Sequence, residues 1–135
     1  MDQFPGSRST VGPEFRGLLI EIVSPSTVES DSADIQIRLT NVGTEPFTMT
    51  DPQFDVYVLT PQGQLVWNWL DDKVIIGGGD TVIEPGNTYV LDIEWDLQSN
   101  DDDDVGSGDY SIFAVFYFPE PPALVSQTHS LVIRD

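Results

Sequence analysis

Cysteine is absent from this 135-residue chain, lysine occurs once (Lys73), histidine occurs once (His129), and no run of apolar residues is long enough to span a bilayer. Each shortage closes a class of function. Without thiols there are no disulfides, thiolate metal sites or cysteine nucleophiles. Without about 18 consecutive apolar residues there is no membrane-spanning helix. The first 17 residues carry no apolar stretch of the kind a secretory leader needs. The expectation is therefore no membrane insertion and a cytoplasmic location, or the cell surface if the chain is a piece of an exported protein. A single imidazole also restricts catalysis, because any Ser-His-Asp triad would have to use His129. No Gly-x-Ser-x-Gly turn accompanies it, so the sequence offers no catalytic residue.

Acid is abundant: 23 Asp and Glu stand against 5 Lys and Arg, a formal net charge of −18. Such a surface repels nucleic acid and anionic membranes, so neither is an expected partner. The excess of Asp over Glu and the near-absence of lysine resemble proteins of salt-accumulating halophiles. In molar salt the Debye length is roughly 3 Å, and the self-repulsion of an acidic fold is screened. The alternative is an ordinary acidic domain whose charge keeps strand edges apart.

The acids form no recognisable metal site. Asn100-Asp101-Asp102-Asp103-Asp104 lacks the alternating ligands and fixed glycine of a calcium loop, and reads as a solvated loop. Asp92, Glu94 and Asp96 alternate along one strand and so share a face, which reads as solvent-exposed. Gly77-Gly78-Gly79 is followed by neither a helix nor Lys-Ser/Thr, so it does not fit a phosphate loop. No metal and no cofactor are expected.

What is present is the punctuation of an antiparallel β protein. Residues 1–17, with Pro5, Gly6, Gly12, Pro13 and Gly17 and no apolar period, read as a flexible tail, leaving 18–135 as a single domain. Leu18 to Val23 is a short apolar strand. Ala33 to Asn41 alternates Ile35, Ile37 and Leu39 against Gln36, Arg38 and Thr40, the pattern of a half-buried strand. Phe47 to Thr50 is another short strand. Phe54 to Thr60 places Phe54, Val56 and Val58 inward and Asp55, Tyr57 and Leu59 outward. Pro61-Gln62-Gly63 then turns the chain into Leu65 to Trp69.

Thr81 to Ile83 suits an edge strand, and Glu84-Pro85-Gly86-Asn87 has the order of a type II turn leading into Thr88 to Trp95. Tyr110 to Phe118 is apolar on both faces, as a central strand would be. Gly108-Asp109-Tyr110 resembles a tyrosine corner. Gln127 to Ile133 closes the chain. Trp67 and Trp69 share one side of their strand; Trp67 is expected in the core, Trp69 either in the core or exposed as a partner anchor. The expected fold is an all-β antiparallel immunoglobulin-like sandwich of about 7–9 strands.

In order and spacing, Asn41-x-Gly43, Phe54-Asp55-Val56-Tyr57-Val58 before Gly63, Val66-Trp67-Asn68-Trp69, Glu84-Pro85-Gly86 before Trp95, and Gly108-Asp109-Tyr110 resemble the BsuPI-type intracellular proteinase inhibitors. After Trp69 this chain departs from the usual family pattern, carrying Leu70-Asp71-Asp72-Lys73-Val74-Ile75-Ile76 in place of a Ser followed by an aromatic and Gln-containing segment. The resemblance implies a non-enzymatic module that binds a protein partner, a subtilisin-like serine protease, through ordered loops. Candidate contact residues are Trp69, Asp71, Asp72 and Lys73 in one loop and Pro121 and Pro122 in another, stiffened by its prolines. A structural or adhesive immunoglobulin-like accessory domain is the competing reading, since fold does not settle function.

Overall fold

The alternation of Ala33 to Asn41 sets the architecture, because a strand with one apolar face must bury it against a second layer. The computed structural model describes residues 10–29, 31–50, 54–69, 80–101, 103–117 and 123–134. Among these the chain is all-β, with no α-helix and thirteen strands. They are β1 (Thr10–Val11), β2 (Glu14–Phe15), β3 (Leu18–Val23), β4 (Thr27–Val28), β5 (Ala33–Asn41), β6 (Phe47–Thr50), β7 (Phe54–Leu59), β8 (Leu65–Asn68), β9 (Asp80–Ile83), β10 (Thr88–Trp95), β11 (Gly108–Phe116), β12 (Ala123–Val125) and β13 (His129–Ile133). Nine have four residues or more, and the rest are two- or three-residue pieces that the apolar pattern is too short to announce.

Two sheets share one core. The four-stranded sheet runs β10-β5-β3-β2, and the larger one runs β1-β12-β11-β13-β4 with β7 and β8 continuing from β11. Pairing is antiparallel except at the short β1–β12 and β13–β4 contacts. Leu18, Ile20, Ile37, Leu39 and Trp95 of the smaller sheet are fully buried, as are Val56, Val58, Ile112 and Leu131 of the larger. All belong to one apolar cluster. Aromatic pairs link the sheets near either end of β10: Phe54 stacks on Tyr89 at 5.7 Å between centroids, and Trp67 on Trp95 at 5.2 Å. The β6–β9 pair forms a third, two-stranded sheet, and Phe47 meets Phe116 edge to face at 6.2 Å.

The turns follow their chemistry. Gly86 has φ +86°, and the Asn87 N–H donates to Glu84 O at 2.9 Å, closing the expected turn. Gly63 (φ +84°) closes the β7–β8 hairpin with its N–H on Thr60 O. The Tyr110 hydroxyl bonds the carbonyls of Val105 and Gly106, forming the corner suggested by Gly108-Asp109-Tyr110. Burial raises the pKa of this phenol.

Three expectations need correction. Residues 10–17 are not a free tail: β1 pairs with β12 and β2 with β3, through Thr10↔Ala123 and Phe15↔Leu18. Strands of two residues carry no period, so composition alone misses them. Second, the outward set of β7 is not exposed; all six residues of the strand are buried. Third, Trp67 packs half-buried against the core as expected, but the fully buried tryptophan is Trp95, whose indole N–H donates to Gln98 O at 2.8 Å.

Candidate functional site

Strand directions bring the described residues that precede the two predicted loops toward one end of the larger sheet. Phe54 at the start of β7 is level with Phe116 near the end of β11. β8 runs back along β7 with Asn68 opposite Tyr57, so Trp69 reaches the level of Val56. Trp69 and Tyr117, the last described residues before segments 70–79 and 118–122, therefore lie toward the same end of the sheet.

Beneath that end, on the sheet face turned away from the main core, runs a chain of polar side chains. The Tyr117 and Tyr57 hydroxyls are 2.6 Å apart. Asp55 follows two residues from Tyr57 on the same face of β7. Its Oδ1 accepts the Val56 N–H at 2.8 Å, and its Oδ2 accepts the Asn68 side-chain amide at 3.0 Å. Asn68 in turn makes a reciprocal pair with Asn100: its N–H donates to Asn100 Oδ1 at 3.1 Å, and its Oδ1 accepts Asn100 Nδ2 at 2.8 Å. The line joins the strand end beside Trp69, the strand end at Tyr117 and the acidic loop.

Apolar packing surrounds this line. Tyr57 stacks on Phe113 at 5.3 Å, and Leu59, Val115 and Ala123 complete a second apolar cluster on this face. Burial first, then the bond to Tyr117 and the charge of Asp55, push the Tyr57 phenol well above its ordinary pKa. It stays a neutral donor and acceptor under all physiological conditions. Asp55 is 2 % exposed; a carboxylate so buried is held only where its lone pairs are satisfied. The arrangement ties β7, β8 and the acidic loop together at this end of the sheet.

Of the predicted contact residues, Trp69 is half-buried and packs against the main core. Asp71, Asp72, Lys73, Pro121 and Pro122 lie outside the described residues, as does Gly77-Gly78-Gly79. In the acidic loop, Asp101, Asp103 and Asp104 are exposed, and the loop is folded on Ser99, whose Oγ accepts the Asp101 and Asp103 N–H groups. No group of three or more metal-ligating side chains gathers among the described residues. His129 is exposed at the start of β13, opposite Ile112. Asp92, Glu94 and Asp96 are exposed, as their alternation suggests.

A second polar centre sits at the end of β5. Buried Asn41 donates from Nδ2 to Glu45 O (2.7 Å) and Ile83 O (2.8 Å), and its Oδ1 accepts the Gly43 N–H (2.9 Å). Its backbone accepts from Gly86 and donates to Asn87 O. The Asn-x-Gly and Pro-Gly signatures, some forty residues apart, are thus one structural unit.

Residues 21–119 match the family described as BsuPI, intracellular proteinase inhibitor. The chain belongs to that family. The BsuPI match runs from the second half of β3 through β11 with both polar centres, and leaves out β1, β2, β12 and β13. No curated protein matches. Among solved structures, dimeric latent PorU from Porphyromonas gingivalis is similar with a TM-score of 0.60 at 18% identity, over 88% of this chain and 10% of that one. The C-terminal domain of wzt is similar at 0.53 and 14% identity, over 88% of this chain and 74% of that one. A β-glucosidase, EmGH1 from Erythrobacter marinus, gives 0.51 at 13% identity, over 87% and 15%. At these identities the likenesses concern the fold alone, and the chain spans about a tenth of the length of PorU.

Proposed function

We propose that this protein is a non-enzymatic binding module that inhibits a subtilisin-like serine protease in the cytoplasm. The observation that carries the reading is the BsuPI match over residues 21–119. The positions of Trp69 and Tyr117, which precede the two candidate segments, toward one end of the larger sheet support a shared contact. Trp69, Asp71, Asp72 and Lys73 in one segment and Pro121 and Pro122 in the other are the contact residues, and both segments leave the sheet end braced by Asp55, Asn68 and Tyr57. An inhibitor gains affinity when its loops are ordered before binding, because less conformational entropy is lost on association. The sandwich is of immunoglobulin-like type, a reading supported by the Tyr110 corner and the two sheets over one core.

Titrating the folded chain against a subtilisin in molar KCl should abolish proteolysis stoichiometrically while the chain stays intact on a gel. Simultaneous Asp71→Ala, Asp72→Ala and Lys73→Ala substitutions should weaken inhibition without moving the melting temperature. Excess folded protein that leaves a panel of serine proteases untouched would overturn this function. The second reading, a structural or adhesive accessory domain, would then stand; it draws support from the recurrence of this fold as 10% and 15% of much longer chains. The charge of −18 supports a halophilic source. Stability should rise from dilute buffer to molar KCl, and an unchanged denaturation midpoint would remove that reading.

A further inference from the structure

The free strand edges of this molecule are protected unequally. An exposed edge offers unpaired N–H and C=O groups to any passing strand, and proteins blunt it by shortening, bulging or covering it. β8 is four residues long with a bulge opposite Val58 and Leu59, and its outer side is covered where the Asn100 N–H donates to Val66 O and the Asn68 N–H to Asn100 Oδ1. β1, β2 and β4 have two residues each. β10 has none of these devices. It is eight residues long, pairs with β5 in unbroken register from Thr88↔Thr40 to Trp95↔Ala33, contains no proline, and ends the four-stranded sheet. Among the described residues nothing bonds the second side of its backbone.

The side chains on this edge fall into two rows. On the core side, Tyr89 and Leu91 are only half covered, whereas Ile93 and Trp95 are buried. On the solvent side, Val90 (41 % exposed), Asp92 and Glu94 follow one another. Among the described residues neither carboxylate meets a cation: Asp92 accepts the Gln36 amide at 3.0 Å and Glu94 the Ser32 hydroxyl at 3.3 Å. Asp34, beside Glu94 on β5, adds a third acid.

We propose that the edge of β10 binds an extended segment of a partner protein by strand addition, and that this segment alternates basic and apolar residues. Its backbone completes the ladder, its apolar residues continue the core side beyond Tyr89 and Leu91, and its Lys or Arg residues face Asp92 and Glu94. A second copy of this chain is the poorer occupant. Two β10 edges paired antiparallel would bring the acidic rows together, and like charges on facing strands are destabilising. The same acids that disfavour self-pairing select a basic strand. The proposal uses no residue of 70–79 or 118–122 and stands whether or not they touch a protease.

The test uses the whole protein, isotope-labelled, in the lowest salt in which circular dichroism shows it folded. The ligand is a capped eight-residue peptide alternating Lys and Val, compared with one alternating Lys and Gly. The Lys-Val peptide should shift the amide resonances of residues 88–95 and slow their hydrogen exchange. The Lys-Gly peptide, equal in charge but poor in strand propensity, should bind more weakly. An Asp92→Asn, Glu94→Gln double variant, altered only on the solvent face, should lose about three- to tenfold in affinity for Lys-Val. Equal binding of both peptides, or shifts spread over the acidic surface without preference for β10, would overturn the proposal. So would a dimer in molar KCl with slowed exchange confined to β10.

Discussion

β7 and β10 are strands of similar length in facing sheets, yet they meet water differently. All six residues of β7 are buried, including Asp55, whereas β10 alternates core and solvent along its length. In β7 the apolar face toward the core and the polar line toward the second cluster are both enclosed, so every polar atom must be satisfied by a neighbour. In β10 the carboxylates stay wet and need no partner. The same residue type is therefore structural in one sheet and available for recognition in the other.

That contrast can be broken from the core outward. Trp95→Ala removes the ring that closes β10 onto Trp67, and should cost about 3–5 kcal/mol, read as a fall in the urea midpoint in constant salt. Asp55→Ala leaves the Asn68 amide and the Val56 N–H unpaired in an enclosed site, and should cost about 1–3 kcal/mol. If β7 were as wet as β10, this substitution would be nearly silent. Asp92→Ala, the matched change on β10, should stay within about 0.5 kcal/mol.

The smallest expected effect is one of pH. The Tyr57 phenol keeps its proton in the folded state above the ordinary value of about 10, so on alkaline titration the unfolded chain loses that proton first. The unfolded state then binds fewer protons, and stability should fall as pH passes about 10. Tyr57→Phe should flatten that fall; an unchanged alkaline slope would mean that this phenol is not held neutral.

The sequence announces some of this and hides the rest for physical reasons. Alternation from Ala33 to Asn41 and continuous apolarity from Tyr110 to Phe118 are strong signals; the first strand lies where it is predicted, and the second forms but runs Gly108–Phe116. Turn residues at Gly63 and Gly86 are local chemistry and equally legible. The burial of Asp55 is not legible, because alternation gives the side of a strand but not what covers it. The Asn68–Asn100 pair joins residues 32 apart through amides that carry no periodicity. Its only trace in the sequence is Asn68 between two tryptophans. Trp67 and Trp95 are equally apolar in the sequence, and only packing decides which lies deeper.

Asn41 has a consequence for the pairing of β10 with β5. Side chains on a strand alternate, so sliding β10 by one position would turn Asp92 and Glu94 toward the core and expel Ile93 and Trp95. The hairpin turn cannot prevent such a slip, because β5 and β10 are joined by 46 residues of intervening chain. Asn41 can: its bonds to Ile83 O, to the Gly86 N–H and to Asn87 O all require one alignment. This buried amide, at the far end of the strand from Trp95, acts as the index mark against which the sheet is set.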